Sequence, residues 1–290
     1  MKHFFLVLLT VLIVTGILGS IWMTRDGKHV TPEGSGTVSL ASGTFEAFPL
    51  PDYAASFVSE DYKSYFIEVE PGIKIHVLEV GSGYPVYMQH GNPTSGFLYR
   101  KVADALPRDR VRLIMPTMPG LGFSSKVPVS EHTLDNHMRW MNQVLVQLDL
   151  EQLVYVGQDW GGPVGMGALT LSPDLLKGAV IMNTGLNAPA EKVDISRAHA
   201  TVKTPIIGEL LTEVISSSFS RLPAIQNAPD SLSPDVLAIY SRPVLESVNK
   251  MAPLALMRMV PDGPDHPTTP QMQQIEDYVG RLEIPVEIVW

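Results

Sequence analysis

The chain has no cysteine. That excludes a disulfide framework, a thiolate nucleophile, a cysteine-based metal site and a lipid-modified N-terminal cysteine, and it leaves the redox compartment open. Charge is also sparse: only 18% of the 290 residues are charged, the formal net charge is −9, and no basic patch rises above the background of Lys and Arg. A nucleic-acid partner is therefore not expected, and a small neutral ligand suits the chain better. The 45% of hydrophobic residues can bury a sizeable core, as one large domain or two smaller ones.

Charge is absent altogether from residues 4–23, between Lys2 and Arg25. About twenty predominantly apolar residues is the length a helix needs to cross a bilayer. The run exceeds the roughly 7 to 15 residues of a signal-peptide core, and no clear A-x-A site follows it, so residues 1–24 are expected to be an uncleaved anchor. A cleaved signal peptide, giving a secreted or periplasmic protein, is the alternative. The few flanking positive charges lean toward the N-terminus inside and the catalytic domain outside the cytoplasm. Residues 25–44, rich in Gly, Ser and Thr and without hydrophobic periodicity, read as a linker.

Beyond residue 45 the pattern alternates. Residues 65–70 and 73–80 alternate apolar and polar around Pro71-Gly72, as a hairpin at a sheet edge does. Residues 84–89, 111–115, 153–156 and 179–182 read as buried strands, separated by helical spacing over 97–106, from Thr133 onward and to about 171. In the helix after Thr133 the apolar positions Leu134, Met138, Met141, Leu145 and Leu148 recur at three- and four-residue steps; its methionines suit core packing rather than a cofactor. Strand alternating with helix predicts a mostly parallel sheet covered on both faces, over residues 45–186. Residues 187–270 carry Pro- and Ser-rich turns and helical pieces (208–215, 235–241) but no convincing strand, and are expected to form a helical cap over the strands' C-terminal ends. A helix over 271–282 and a strand over 285–290 then resume the core.

The chemistry concentrates at residues 153–167, LVYVGQDWGGPVGMG. Strand, tight turn and helix make the nucleophile elbow of an α/β-hydrolase, written G-x-D-x-G instead of G-x-S-x-G. The nucleophile is then the carboxylate of Asp159. On an acyl carbon it would form an anhydride; on a saturated carbon with a leaving group it forms an alkyl ester that water can cleave. The substrate is expected to be an alkylating electrophile. A helix-capping role for Asp159 is the plain alternative. The turn after strand 84–89, His90-Gly91-Asn92-Pro93-Thr94-Ser95, stands where this fold supplies one oxyanion-hole N–H, and the residue after the nucleophile supplies the other. Asn92 and Trp160 fit those places, against the alternatives of a turn residue before proline and a core aromatic. His90 is expected to support its turn rather than act as a base.

These residues resemble the haloalkane dehalogenases of the α/β-hydrolase superfamily, over about 65–290 and most specifically in HGNPTS (90–95) with GQDWGG (157–162). The resemblance implies an α/β-hydrolase fold with a helical cap, with Asp159 as nucleophile. It implies halide binding by the Trp160 indole N–H and the Asn92 side-chain amide, and an oxyanion hole from the backbone N–H groups of Asn92 and Trp160. Some members take a second halide donor from a tryptophan in the lid, but none occurs between Trp160 and Trp290. The partners implied are a small hydrophobic halogenated substrate and halide. No cofactor or metal is implied.

Three departures qualify it. Pro116-Thr117 stands where many members carry an aspartate, which puts the local loop hydrogen bonds in doubt. Asn183-Thr184 occupies one site used for the catalytic acid. No catalytic acid or histidine base is found in the chain; His199 and His266 fall in or beside the cap and read as surface or turn residues. Both missing groups are expected past residue 290, and the chain is expected to be a C-terminally truncated fragment that could alkylate Asp159 once and stall. An epoxide hydrolase of the same fold is an alternative, for which Tyr240 and Tyr278 are the available phenols. A fluoroacetate-type dehalogenase would place Arg at Trp160. A non-catalytic, membrane-tethered binding relative is the third possibility.

Overall fold

The computed structural model describes residues 2–23, 29–215, 218–225 and 232–290. Nine strands form one sheet: β1 (Thr37–Leu40), β2 (Gly43–Ala47), β3 (Lys63–Glu70), β4 (Ile73–Gly81), β5 (Tyr84–Gln89), β6 (Val111–Pro116), β7 (Leu153–Gln158), β8 (Leu176–Met182) and β9 (Val286–Val289), in the order β1-β2-β3-β4-β6-β5-β7-β8-β9. Pairing is antiparallel from β1 to β6, through β4, and parallel from β6 through β5, β7 and β8 to β9. The helices are α1 (Lys2–Met23), α2 (Asp52–Ala55), α3 (Arg100–Ala105), α4 (Leu134–Gln147), α5 (Gly161–Thr170), α6 (Arg197–Lys203), α7 (Ile207–Glu209), α8 (Ser218–Ile225), α9 (Pro234–Leu245), α10 (Ala252–Arg258) and α11 (Thr269–Val279).

The β3–β4 hairpin closes at Gly72, whose φ of 81° is one that glycine adopts at no steric cost; it lies inside the sheet and not at its edge as expected, because β1 and β2 extend the sheet beyond β3. Each parallel pair needs a crossover, and the helical stretches supply it. Helix α4 starts at Thr133, whose side chain accepts from the Asn136 N–H at 3.2 Å, and it packs against α5. Leu134, Met138, Met141, Leu145 and Leu148 are all buried, so its methionines fill the core as their spacing predicts. At roughly 25 cal/mol per Å² of apolar surface removed from water, such a face is what holds a helix to its sheet.

One polar cluster sits inside this core. Glu79 on β4 receives two bonds from the Arg112 guanidinium of β6, at 3.0 and 2.9 Å, and a third from the Tyr65 hydroxyl at 2.7 Å. A buried carboxylate is tolerable only when its oxygens are occupied in this way.

Two expectations change here. From Thr37 the stretch read as a linker is sheet: β1 pairs with β2, Val30 bridges Lys126, and Thr31 and Gly34 hydrogen-bond to Gly72 and Glu46. Val38 and Leu40 alternate with Thr37 and Ser39 over only four residues, too short a run among the surrounding Gly, Ser and Thr to stand out as a strand without its partner. Residues 25–28 of that stretch lie outside the described residues. The second change concerns the N-terminus. Helix α1 is apolar, but its side chains are described only as far as residue 19, and among the described residues no helix is long and apolar enough to cross a membrane. The expected anchor, and with it the membrane partner and membrane localisation, is unsupported.

Residues 187–270 hold α6 to α10, and no strand among the described residues. The piece expected over 208–215 divides into α7 and a π-helical turn, Leu210–Ile215. Residues 216–217 and 226–231 of this region lie outside the described residues.

Candidate active site

The pairing of β5 with β7, with Gln89 opposite Gly157, brings two sequence-distant turns together at the C-terminal ends of adjacent strands. Asp159 follows β7 with φ of 52°, a left-handed conformation that Asp tolerates better than most residues but that still costs about 1 kcal/mol or more. The surroundings enforce it. The Asp159 carbonyl accepts from the Thr184 hydroxyl at 2.6 Å and from the Gly162 N–H at 2.9 Å, where α5 begins. Close approach explains two glycines. A β-carbon on Gly161 would collide with the backbone of Gln89, and one on Gly91 would collide with the Asp159 carboxylate.

One oxygen of the Asp159 carboxylate, Oδ1, accepts from the Asn92 backbone N–H at 2.8 Å, and the Trp160 backbone N–H also stabilises the carboxylate. Burial pushes its pKa above the ordinary carboxylate value. These two N–H groups and the nearby His199 pull the other way without cancelling the rise. The result is a poorly solvated carboxylate held by two backbone donors.

It opens on a cavity of about 470 Å³, lined in part by Asp159, Trp160, Asn183, Thr184, His199 and Met272. Trp160 is buried, and its indole N–H makes no hydrogen bond among the described residues. The Asn92 side chain behaves differently: its Nδ2 donates to the Pro253 carbonyl of α10 at 2.9 Å, its Oδ1 is buried without a partner among the described residues, and it does not line the cavity. The expected pair of donors is thus split, with Trp160 in the cavity and the Asn92 amide tying the turn to the residues above it. The Asn92-Pro93 peptide is cis.

His90 supports its turn, as expected. Its Nε2 accepts from the Met118 N–H at 3.0 Å, its Nδ1 lies 2.8 Å from the Gly91 carbonyl, and burial brings its pKa down to about 4. The doubtful loop finds its bonds in Thr117: its hydroxyl accepts from the Gly96 N–H at 3.1 Å and its carbonyl accepts from the Ser124 hydroxyl at 2.6 Å. Of the two cap-region histidines, His266 lies in a different cavity, with its ring nitrogens at the Arg258 carbonyl and the Thr268 N–H. His199 shares the cavity of Asp159, where spacing had read it as a surface residue. Thr184 was likewise missed as a support of the elbow. Nothing in the local sequence marks either, because each meets Asp159 only through tertiary packing.

Strand β7, the positive-φ aspartate and α5 together define an α/β-hydrolase with a carboxylate at its nucleophile elbow. Comparison with known proteins agrees. The α/β hydrolase fold family model matches residues 84–203. The haloalkane dehalogenase of Agrobacterium fabrum is 30% identical over 220 residues, 74% of this chain and 71% of that protein. The cis-3-alkyl-4-alkyloxetan-2-one decarboxylase of Shewanella oneidensis is 29% identical over 238 residues, 79% and 73% of the two chains. The crystal structure of haloalkane dehalogenase DatA from Agrobacterium tumefaciens superposes with a TM-score of 0.71 at 28% identity, covering 81% of this chain and 80% of that one. The chain belongs to the haloalkane dehalogenase-like α/β-hydrolases.

Proposed function

We propose that this chain carries the site of a haloalkane dehalogenase, with Asp159 attacking a carbon–halogen bond to form an alkyl ester and release halide. The observation behind this is the desolvated Asp159 carboxylate on a cavity that Trp160 also lines, its indole N–H uncommitted among the described residues. Displacement at saturated carbon transfers negative charge to the departing halide. A neutral N–H donor aimed at that charge stabilises the transition state more than the ground state. Trp160 is the principal donor; the Asn92 amide, which donates to the Pro253 carbonyl and does not line the cavity, serves as the other only by turning its second hydrogen toward the halide. Oδ1 is held by the Asn92 backbone N–H, and the Trp160 backbone N–H also stabilises the carboxylate that attacks. The same two donors then hold the oxyanion when water adds to the ester. The balanced reaction takes haloalkane and water to alcohol, halide ion and a proton.

The epoxide alternative needs phenols over the nucleophile. Tyr240 lies elsewhere, its hydroxyl accepting from Arg100 at 3.3 Å, and the Tyr278 hydroxyl reaches the Pro173 carbonyl at 3.5 Å. Neither lines the Asp159 cavity. Likeness to the oxetan-2-one decarboxylase favours a second substrate class, since a strained lactone is also an alkylating electrophile whose ring C–O bond a carboxylate can open at saturated carbon.

Incubation with 1,2-dibromoethane, read by intact mass and bromide release, tests the proposal. The expected result is one alkyl group on Asp159 with bromide released. Consumption of a cis-3,4-dialkyl-oxetan-2-one with no bromide release from haloalkanes would transfer the site to the second class. Absence of both, in folded protein, would favour a binding protein.

A further inference from the structure

One buried cation faces no opposite charge. Arg100, the first residue of α3, is only 7% exposed and makes no ion pair among the described residues. Its Nη1 donates to the Phe97 carbonyl at 3.0 Å and to the Tyr240 hydroxyl at 3.3 Å, and the guanidinium lies 5.7 Å from the centre of the Phe57 ring. Nε and Nη2 have no hydrogen-bond partner among the described residues. A guanidinium is always charged and carries five N–H donors, so two neutral oxygens leave its charge and most of its donors uncompensated.

Arg100 lines a cavity of about 190 Å³ together with Leu98, with Leu222 of α8, and with Leu232, Val236 and Tyr240 in and before α9. Burial pushes the Tyr240 phenol pKa up, against the opposing effect of Arg100, so the hydroxyl keeps its proton. Its oxygen already accepts from Arg100, which leaves that proton to donate. Exposed Lys101 adds a second cation to the lining, and no carboxylate joins it among the described residues. Asp104 lines a neighbouring cavity with Arg100, but its carboxylate is taken up by the Arg108 guanidinium and by the Tyr62 hydroxyl at 3.0 Å.

We propose that this cavity binds a short aliphatic carboxylate, its oxygens on the uncommitted Arg100 N–H groups and the Tyr240 hydroxyl, its tail against Leu98, Leu222, Leu232 and Val236. The binding is independent of the chemistry proposed for Asp159. A planar guanidinium fork matches the two oxygens of a carboxylate, which a spherical halide does not offer. One buried cation balances one negative charge, so a phosphate or a dicarboxylate would bring charge that the buried part of the lining leaves unpaired. A neutral ligand would fill the apolar part and leave the guanidinium as it is. The cavity is smaller than the roughly 300 to 1,000 Å³ of pockets for drug-sized ligands, which keeps the chain short.

The occupant would touch two parts of the molecule at once. Leu98 and Arg100 follow the 90–95 turn, whereas Leu222, Val236 and Tyr240 belong to the cap helices α8 and α9. Thr94 lines the same cavity, and its hydroxyl donates to the Gly91 carbonyl at 3.0 Å, one residue before the Asn92 N–H that holds Asp159. A bound carboxylate thus ties the cap to the turn beside the nucleophile, and a ligand that binds only the folded chain stabilises it by mass action.

The test is calorimetric titration of the full chain with sodium butyrate at fixed ionic strength, with n-butanol and sodium chloride titrated separately, and circular dichroism to show that each variant is folded. Butyrate is expected to fill one saturable site with a Kd of about 1 mM or tighter, a realistic affinity for so few atoms, and to raise the melting temperature. Butanol and chloride should bind at least about tenfold more weakly, since each lacks half of the match. Tyr240→Phe, which keeps the ring and its packing, should weaken butyrate two- to tenfold, the scale of one hydrogen bond. Arg100→Met should abolish binding; should that variant not fold, Val236→Phe, which fills the cavity and leaves Arg100 in place, is expected to abolish it too. Asp159→Asn should bind butyrate as the parent does. Four results overturn the proposal: no saturable butyrate binding by the parent, equal binding of butanol or of chloride, parental affinity in folded Val236→Phe, or loss of binding in Asp159→Asn, which would place the ligand in the other cavity. None of them bears on whether Asp159 is alkylated.

Discussion

The two proposed halide donors are committed differently, so their removal should cost different amounts. Trp160 lines the cavity and its indole N–H has no partner among the described residues, so Trp160→Phe removes a donor whose full strength is available to the departing halide. Loss of one preorganised donor in a water-poor site typically costs 10²- to 10³-fold, or about 3 to 4 kcal/mol. The Asn92 amide already donates to the Pro253 carbonyl at 2.9 Å. Any bond it makes to halide is a second, shared one, and a shared neutral hydrogen bond is worth about 0.5 to 1.5 kcal/mol, or roughly two- to tenfold. Asn92→Ala also frees a carbonyl of α10, so part of its effect falls on cap closure rather than chemistry. Rapid-mixing measurement of the first bromide released from 1,2-dibromoethane at saturating substrate isolates the relevant step. The expected order is a loss of at least 10²-fold in Trp160→Phe and at most about tenfold in Asn92→Ala. An Asn92→Ala loss as large as that of Trp160→Phe, with thermal stability unchanged, would show that the amide turns from Pro253 to the halide and would refute the division of labour.

Asp159→Asn should abolish adduct formation, because an amide is a poor nucleophile. Since burial makes the ionised carboxylate costly, the same change should raise the melting temperature rather than lower it, as measured by calorimetry at pH 7. Gly161→Ala drives a β-carbon into the Gln89 backbone, which cannot yield as a flexible side chain would. Urea unfolding should show about 1 to 3 kcal/mol of destabilisation, and bromide release should slow further as the Asn92 N–H separates from the carboxylate. Arg112→Met leaves Glu79 buried with only the Tyr65 hydroxyl, a loss expected near 3 kcal/mol; replacing Glu79 by Met as well should recover most of it in the same assay. The proposed nucleophile works in the ionised form, so bromide release should fall as pH drops through a value above the ordinary carboxylate range. Single-turnover rates between pH 4 and 9 report that acid limb.

Much was legible in the chain because its signals are local. Alternation and buried runs are set by whether a side chain meets core or water, so β3 to β9 appear within a few residues of where patterning puts them. The elbow is legible for a similar reason: glycine at 157 and 161 and a carboxylate at 159 describe a backbone geometry that few other residues permit. Periodicity failed where stability comes from a partner. Strand β1 has only Val38 and Leu40 to alternate with its polar residues, too short a pattern to read, and forms because β2 lies beside it. The uncharged run at the N-terminus is visible to any hydropathy scale, yet among the described residues it amounts to no membrane-crossing helix.

The sequence by itself determined the class of fold and the residues on which the proposed chemistry rests. An aspartate in the elbow, followed by tryptophan and accompanied by the 90–95 turn, points to a carboxylate nucleophile before any coordinate is known. Tertiary structure decided which groups reach it. Asn92 can donate from its backbone, its side chain or both, and only the packing of α10 shows that the amide is taken up by Pro253. His199 is forty residues from Asp159 in sequence, and no spacing rule links a histidine in a cap helix to a strand-end turn. The link exists because apolar contact fixes α6 on α10, and side-chain proximity across such distances is set by packing, which a linear pattern does not encode.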